Sequence, residues 1–289
     1  MIRLGIAVLW VLHLLPLPAL ALVGRVAGII LYGAADKRRR IVLTNLKLCF
    51  PDRSDAEHRH IARCHFQVLA RAFLEHGILW WSSKARIQKL VRVEGLEHWR
   101  PVAHKPVIWL VPHFAGLDMG GARIFTEWRL VSVYSQQKNP VIDRLLLHGR
   151  TRFSESVMFS RQEGIRPVVK AMREGLPFYY LPDMDYGARD AVFVPFMGVQ
   201  AATISGLSRL ARLAKAVVVP AVTQQLPGSQ GYVLRFYPPW ENYPTDDVEA
   251  DTRRMNDFIE ERVREMPEHY YWVHRRFKTR PPGEPRIYD

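Results

Sequence analysis

The sequence predicts an α/β protein: a mixed central sheet flanked by helices, behind an N-terminal membrane-anchor helix. Three observations lead there. Residues 4–24 are almost wholly apolar, with His13 the one polar interruption. Beyond them, short β-rich runs alternate with helical stretches, which is the pattern of a sheet covered by helices. No Gly/Ser-rich linker divides the remainder, so residues 32–289 read as one domain after an anchor over 1–31.

The apolar run is close to the length of about 20 residues that a membrane-crossing helix needs. Arg3 and the small residues Ala19 and Ala21 give it some features of a cleaved signal peptide. Arg25 and the cluster Lys37 to Arg40 argue instead for retention, because such a cluster holds its flank in the cytoplasm. Pro16 and Pro18 leave two arrangements open, a spanning helix or a kinked one lying in a single leaflet.

Residues 55–81 carry an apolar stripe at helical spacing and predict one long amphipathic helix. The runs VIWLVP, LVSVYS, PFYYLP, AVFVPF, AVVVPAVTQ and GYVLRFYP predict strands. Helices are expected over 116–127, 140–152, 163–175 and 201–214, with a last one over about 248–265. A basic, proline-punctuated tail ends the chain.

Charge narrows the partners. Forty-one Lys and Arg face 28 Asp and Glu, a net charge of +13 that favours an anionic surface, carrier protein or substrate. No nucleic-acid-binding module is legible. The two cysteines, Cys49 and Cys64, are too few for a disulfide framework and read as buried thiols.

One stretch carries chemistry: VIWLVPHFAGLDMGG, residues 107–121, in which His113 and Asp118 stand five apart. On one ideal helix that spacing separates side chains by about 140° around the axis, so the pair does not share a helical face. If the strand ends at Pro112, His113 emerges at its carboxyl end and Asp118 falls in the first turn of the next helix. Open α/β sheets place their sites there. The expected arrangement has Asp118 folding back to accept from one ring N–H, fixing the tautomer while the other nitrogen removes a proton from a hydroxyl. A capping Asp beside an unremarkable strand-end His would share this spacing. There is no G-x-S-x-G elbow, H-E-x-x-H, G-x-x-x-x-G-K or G-x-G-x-x-G, so the hydroxyl to be activated belongs to the substrate.

HFAGLD resembles the H-x4-D/E motif of glycerolipid acyltransferases, and the chain as a whole is similar to the lipid A late acyltransferases of Gram-negative bacteria. NLKLCFPD (45–52), LPDMDYG (181–187), VFVPFMGVQAAT (192–203) and YYWVHRRFKTRPPGE (270–284) support the resemblance in order and spacing. It implies a glycerolipid acyltransferase-like fold at the cytoplasmic face of the inner membrane. It also implies transfer of a fatty acyl group from an acyl carrier protein thioester to a hydroxyl of a Kdo-bearing lipid A precursor. No metal, cofactor or acyl-enzyme is implied. An enzyme acting on a lysophospholipid or another glycolipid is the nearest alternative; a non-enzymatic basic membrane protein is a more distant one.

By this resemblance His113 is the general base and Asp118 its orienting partner; many relatives carry Glu at the second position, so Asp118 would need a closer approach. Arg150 and Arg161 match arginines of the family and would stabilise the oxyanion or grip lipid A phosphates. Asp183 and Asp185 fall in the acceptor-side block, where they would bind sugar hydroxyls or hold arginines. Phe193, Phe196 and Met197 stand as core residues or acyl-channel lining. Arg275, Arg276, Lys278 and Arg280, interleaved with Trp272 and Phe277, suggest a surface for the membrane or the carrier protein.

Overall fold

The computed structural model describes residues 2–288. The apolar N-terminal run is two helices rather than the single one expected, α1 (Ile2–Leu12) and α2 (Leu17–Ala34). Pro16 stands extended before α2, where its fixed φ and missing N–H suit a helix start but not a helix interior. Arg86 ties down the break by donating to the carbonyls of His13 and Leu15.

Helix α3 (Asp36–Cys49) leads to α4 (Asp55–Leu74), which begins at a Ser54–Glu57 capping box. The long helix expected over 55–81 breaks at Glu75, and a separate α5 (His76–Trp81) follows. The cause is a buried polar knot. Glu75 takes Arg71 Nε at 2.7 Å and the Tyr232 hydroxyl, so its carboxylate must turn inward and the helix axis turns with it. Helix α6 (Lys84–Leu90), capped by Ser83, then enters the sheet.

The body alternates β1 (Val91–Glu94), α7 (Leu96–Trp99), β2 (Val107–Leu110), α8 (Leu117–Phe125), β3 (Val131–Tyr134), α9 (Pro140–Thr151), β4 (Val157–Ser160), α10 (Arg166–Arg173) and β5 (Phe178–Tyr180). An antiparallel hairpin, β6 (Ala191–Phe196) and β7 (Val199–Ile204), precedes α11 (Gly206–Ala214), β8 (Val217–Gln225), β9 (Tyr232–Phe236) and α12 (Val248–Glu265). The helix expected over 201–214 therefore starts late, because residues 199–204 pair with β6 first. The seven-stranded sheet has the order β1-β9-β8-β2-β5-β3-β4. It is parallel throughout except between β8 and β9, so it is mixed, as the sequence predicts.

Strand β2 lies at the centre and all four of its residues are buried. Alternation sends Val107 and Trp109 to one face, against Ile124, Phe125, Trp99 and Phe236, and Ile108 and Leu110 to the other, with Val168, Met172, Leu207 and Val263. The two layers of helices thus close separate cores on either side of one sheet. Trp109 is wholly buried, and truncating it to Ala would cost about 3–5 kcal/mol by the usual penalty for emptying an aromatic site.

Trp272, Phe277 and Arg276 of the basic tail also belong to the interior. Arg276 donates to Ala202 O at 2.9 Å and Thr203 Oγ1 at 2.8 Å, and Arg280 donates to Gln200 O. This overturns the surface reading for Arg276, Arg280, Trp272 and Phe277: the two arginines satisfy oxygens of β7, and the two aromatics fill the core, while Lys278 stays exposed. Phe196 and Met197 are buried in the same core. Cys49 is buried, whereas Cys64 is only half-buried, because helix α4 presents it at the edge of its packed face.

Candidate active site

Strands β2 and β5 are parallel neighbours, so the loops leaving their carboxyl ends lie side by side. His113 follows β2 and Asp183 follows β5. His113 Nδ1 is 2.6 Å from Asp183 Oδ1, and the His113 backbone N–H donates to Asp183 Oδ2 at 2.9 Å. A carboxylate only accepts, so the ring hydrogen sits on Nδ1 and the Nε2 lone pair is left free. Burial would push the fully enclosed Asp183 carboxyl upward, but the charge and two hydrogen bonds of His113 outweigh it and hold it below the ordinary carboxylate range.

This corrects the expected pairing. Asp118 sits in the first turn of α8 as predicted, yet it does not hold His113. Its Oδ2 lies 3.3 Å from His76 Nε2 and its Oδ1 lies 3.6 Å from the Arg150 guanidinium. The physical reason is the helix turn: α8 begins only at Leu117, and its first turn carries the carboxylate across the cavity toward α5 and α9. Burial raises the Asp118 carboxyl, while the hydrogen bond and charge of His76, then Arg150 and His113, more than reverse that and leave it well below its usual range.

Glycines make the corner possible. A Cβ on Gly116 would stand 2.8 Å from Thr223 O, and one on Gly120 would collide with the Thr223 side chain. Only glycine lets the start of α8 lie directly on β8. The carboxy-terminal segment closes the loop from the other side. Ala115 N donates to His269 O at 2.8 Å, Tyr271 N donates to His113 O at 3.0 Å, and Phe114 bridges Tyr270. Because Phe114, Ala115 and Leu117 already spend their N–H groups on Pro112, His269 and Phe114, an oxyanion is served better by a side-chain cation than by those amides.

His113, Asp118, His76, Arg150 and Arg161 all line one cavity of about 310 Å³. Its apolar wall comes from Leu79, Trp80, Leu117, Ala122, Phe125 and Leu146. The hairpin residues Phe193, Phe196 and Met197 do not line it, and Phe196 and Met197 take the core placement instead. Arg161 lies with its guanidinium 4.5 Å from the Tyr186 ring centroid, a stacked cation at the cavity wall.

Asp185 is placed differently from the acceptor-binding role expected of it. Its carboxylate accepts from Gly187 N at 2.9 Å, Thr279 N at 2.7 Å and Thr279 Oγ1 at 2.8 Å, and its backbone N–H donates to His274 Nε2 at 2.9 Å. Nearly buried and fully engaged, it pins the tail to the β5 loop. Asp183 likewise spends both oxygens on His113, so neither carboxylate is open to a sugar hydroxyl. Sequence reasoning missed His76. Its signal was the EHG break in an otherwise helical pattern, a polar pair beside a glycine where the stripe turns.

A strand-end imidazole held by a buried carboxylate, beside two arginines and an apolar wall, is equipped for proton transfer next to an anionic ligand with an apolar part. Residues 1–279 match the family described as bacterial lipid A biosynthesis acyltransferase, and the chain belongs to that family. It is 39% identical over 288 residues to the lipid A biosynthesis lauroyltransferase of Escherichia coli, covering 99% of this chain and 94% of that protein. It is also 33% identical to the palmitoleoyltransferase of Escherichia coli (98% and 93% covered) and 32% identical to its myristoyltransferase (94% and 83% covered). A solved 1-acyl-sn-glycerophosphate acyltransferase from Thermotoga maritima gives a TM-score of 0.37 at 12% identity, covering 85% of this chain and 96% of that one.

Proposed function

We propose that this lipid A biosynthesis acyltransferase moves a fatty acyl group from an acyl carrier protein thioester to a hydroxyl of a Kdo-bearing lipid A precursor. His113 is the base. The observation that carries this reading is the Asp183 contact, which puts the hydrogen on Nδ1 and leaves Nε2 as a lone pair. Nε2 takes the hydroxyl proton as that oxygen attacks the thioester carbonyl, forming the C–O bond. The negative charge on the carbonyl oxygen falls to Arg150, held by Asp118, with Arg161 as a second cation for the phosphates of the acceptor. Collapse of the intermediate breaks the C–S bond, and the departing thiolate recovers the proton from the imidazolium. The apolar wall suits the acyl chain.

The site belongs at a membrane surface. Helix α2 is long and apolar enough to cross a bilayer, and its outward residues Leu22 (62% exposed) and Ile30 (64%), with Leu4 (70%) on α1, offer a continuous greasy face. Its other face lies along α4: a Cβ on Gly28 would meet the Gln67 backbone at 2.3 Å. Because α4 lies along α2, with Gly24 against Arg71 and Gly28 against Gln67, crossing the bilayer would carry α4 and the body packed on it into hydrocarbon. We accordingly place the α1–α2 segment within one leaflet, the second of the two arrangements the prolines allow, with the basic surface toward the cytoplasm. A single cysteine at Gly5, in a chain otherwise free of cysteine, tests this in intact inner-membrane vesicles. Labelling by an impermeant maleimide only from the periplasmic side would establish a spanning helix instead.

The central experiment measures transfer from a defined acyl carrier protein thioester to a Kdo-bearing precursor by membranes containing the protein. His113→Ala should abolish transfer with folding intact, and undiminished transfer by that variant would overturn the mechanism. Transfer to a lysophospholipid but not to the lipid A precursor would overturn the acceptor.

A further inference from the structure

The cavity holds a second histidine whose surroundings favour one protonation state. His76 Nδ1 lies 3.0 Å from Ala72 O and 3.1 Å from Phe73 O, two carbonyls in the last turn of α4. Carbonyls only accept, so Nδ1 carries a hydrogen. Nε2 stands 3.3 Å from the Asp118 carboxylate, an ion-pairing distance. Two carbonyls at one nitrogen and a carboxylate at the other favour the imidazolium. The carboxyl end of a helix favours a cation there.

We propose that His76 is a positioning residue: as an imidazolium it fixes the Asp118 carboxylate, and through it the Arg150 guanidinium, so that its deprotonation disables the site on the alkaline side. This rests on the reading of Arg150 as the cation for the developing oxyanion. The charged groups facing His76 are Asp118 on α8 and, beyond that carboxylate, Arg150 on α9 and His113 after β2; the Phe73 and Trp80 rings flank it from α4 and α5. Burial disfavours its charge, but Asp118 and the two carbonyls outweigh burial and raise the ring above the ordinary imidazole value. The cation therefore persists to higher pH than in an ordinary imidazole and is lost as pH rises through the raised value, which is the sense an alkaline limb requires.

Two measurements test this. The first is kcat against pH for the wild-type, His76→Gln and His76→Lys proteins, with both substrates saturating. His76→Gln should lower kcat about 10- to 100-fold at neutral pH, the cost of a loosened reacting geometry, and lose the alkaline limb. His76→Lys, a cation to higher pH, should recover much of the rate and move that limb upward. A His76→Gln profile within about twofold of wild type throughout would overturn the proposal. The second needs no activity: in protein labelled with 13C at histidine Cε1, the signal missing from His76→Gln is followed against pH. Its midpoint should fall by about one unit or more in Asp118→Asn, and an unmoved midpoint would overturn the pairing. If the wild-type protein transfers no acyl group, the proposed function fails, while the titration still decides the His76–Asp118 pair.

Discussion

Two histidine–carboxylate pairs share this cavity, and they are built to opposite ends. In His113–Asp183 the carboxylate is buried and meets one ring nitrogen and the backbone N–H of the same residue, which leaves the second nitrogen open for a proton. In His76–Asp118 the ring lies between two carbonyls at Nδ1 and a carboxylate at ion-pairing distance from Nε2, surroundings that favour the charged form, which has no lone pair to offer. The first pair suits proton transfer and the second suits fixed charge. What separates a base from a structural cation here is what lies opposite the second nitrogen.

The comparison can be broken most sharply at Asp183. Asp183→Asn preserves shape but removes the carboxylate that holds the hydrogen on Nδ1, and the expected loss in kcat is about 10²- to 10⁴-fold. A comparable loss in Asp118→Asn with little effect from Asp183→Asn would reverse the roles of the two pairs. Next in size is Arg150→Ala, which removes the cation tethered to Asp118; kcat should drop by about 10²-fold with a smaller change in KM.

Acid pH separates the site from the frame around it. His65 is fully enclosed, with Nδ1 on Glu268 O at 2.8 Å, and burial lowers it to about 4; His274, whose Nε2 accepts from Asp185 N, is also lowered to about 4 by burial and then by Arg276. Both rings are lower in the folded chain than the ordinary 6.5, so the unfolded state binds more protons. Their contribution is complete above 6.5 and is lost as pH falls toward 4, by roughly 3 kcal/mol for His65. Urea unfolding at pH 7 and pH 4.5 should show that loss, and His65→Gln should flatten it. The smallest effect is expected at Asp185→Asn. It disturbs three hydrogen bonds, two of which pin the tail through Thr279, so stability should fall by about 1–3 kcal/mol while kcat stays within a few fold. A large rise in KM for the acceptor instead would restore Asp185 to the substrate.

Much of the frame was legible because local pattern and burial agree. The β2 run is apolar on both faces, and α12 has its period and its Asp247 cap, so each falls where the sequence puts it. Strand β4 was missed because VMFS is half-buried at the sheet edge and lacks a clear alternation. In the site, the strand-end position of His113 could be read from its own neighbourhood. Its partner could not. Asp183 is 70 residues away, and it arrives only because β5 inserts beside β2 while β3 and β4 are displaced outward. Strand order is a tertiary outcome, and spacing along the chain carries no trace of it. The same holds for Asp118, whose distance from His113 in sequence suggested a contact that the first turn of α8 sends elsewhere.

Residues 269–271 grip the loop that bears His113, although most of the chain lies between them. During synthesis the apolar α1–α2 segment therefore emerges long before the segment that sets the His113 loop in place.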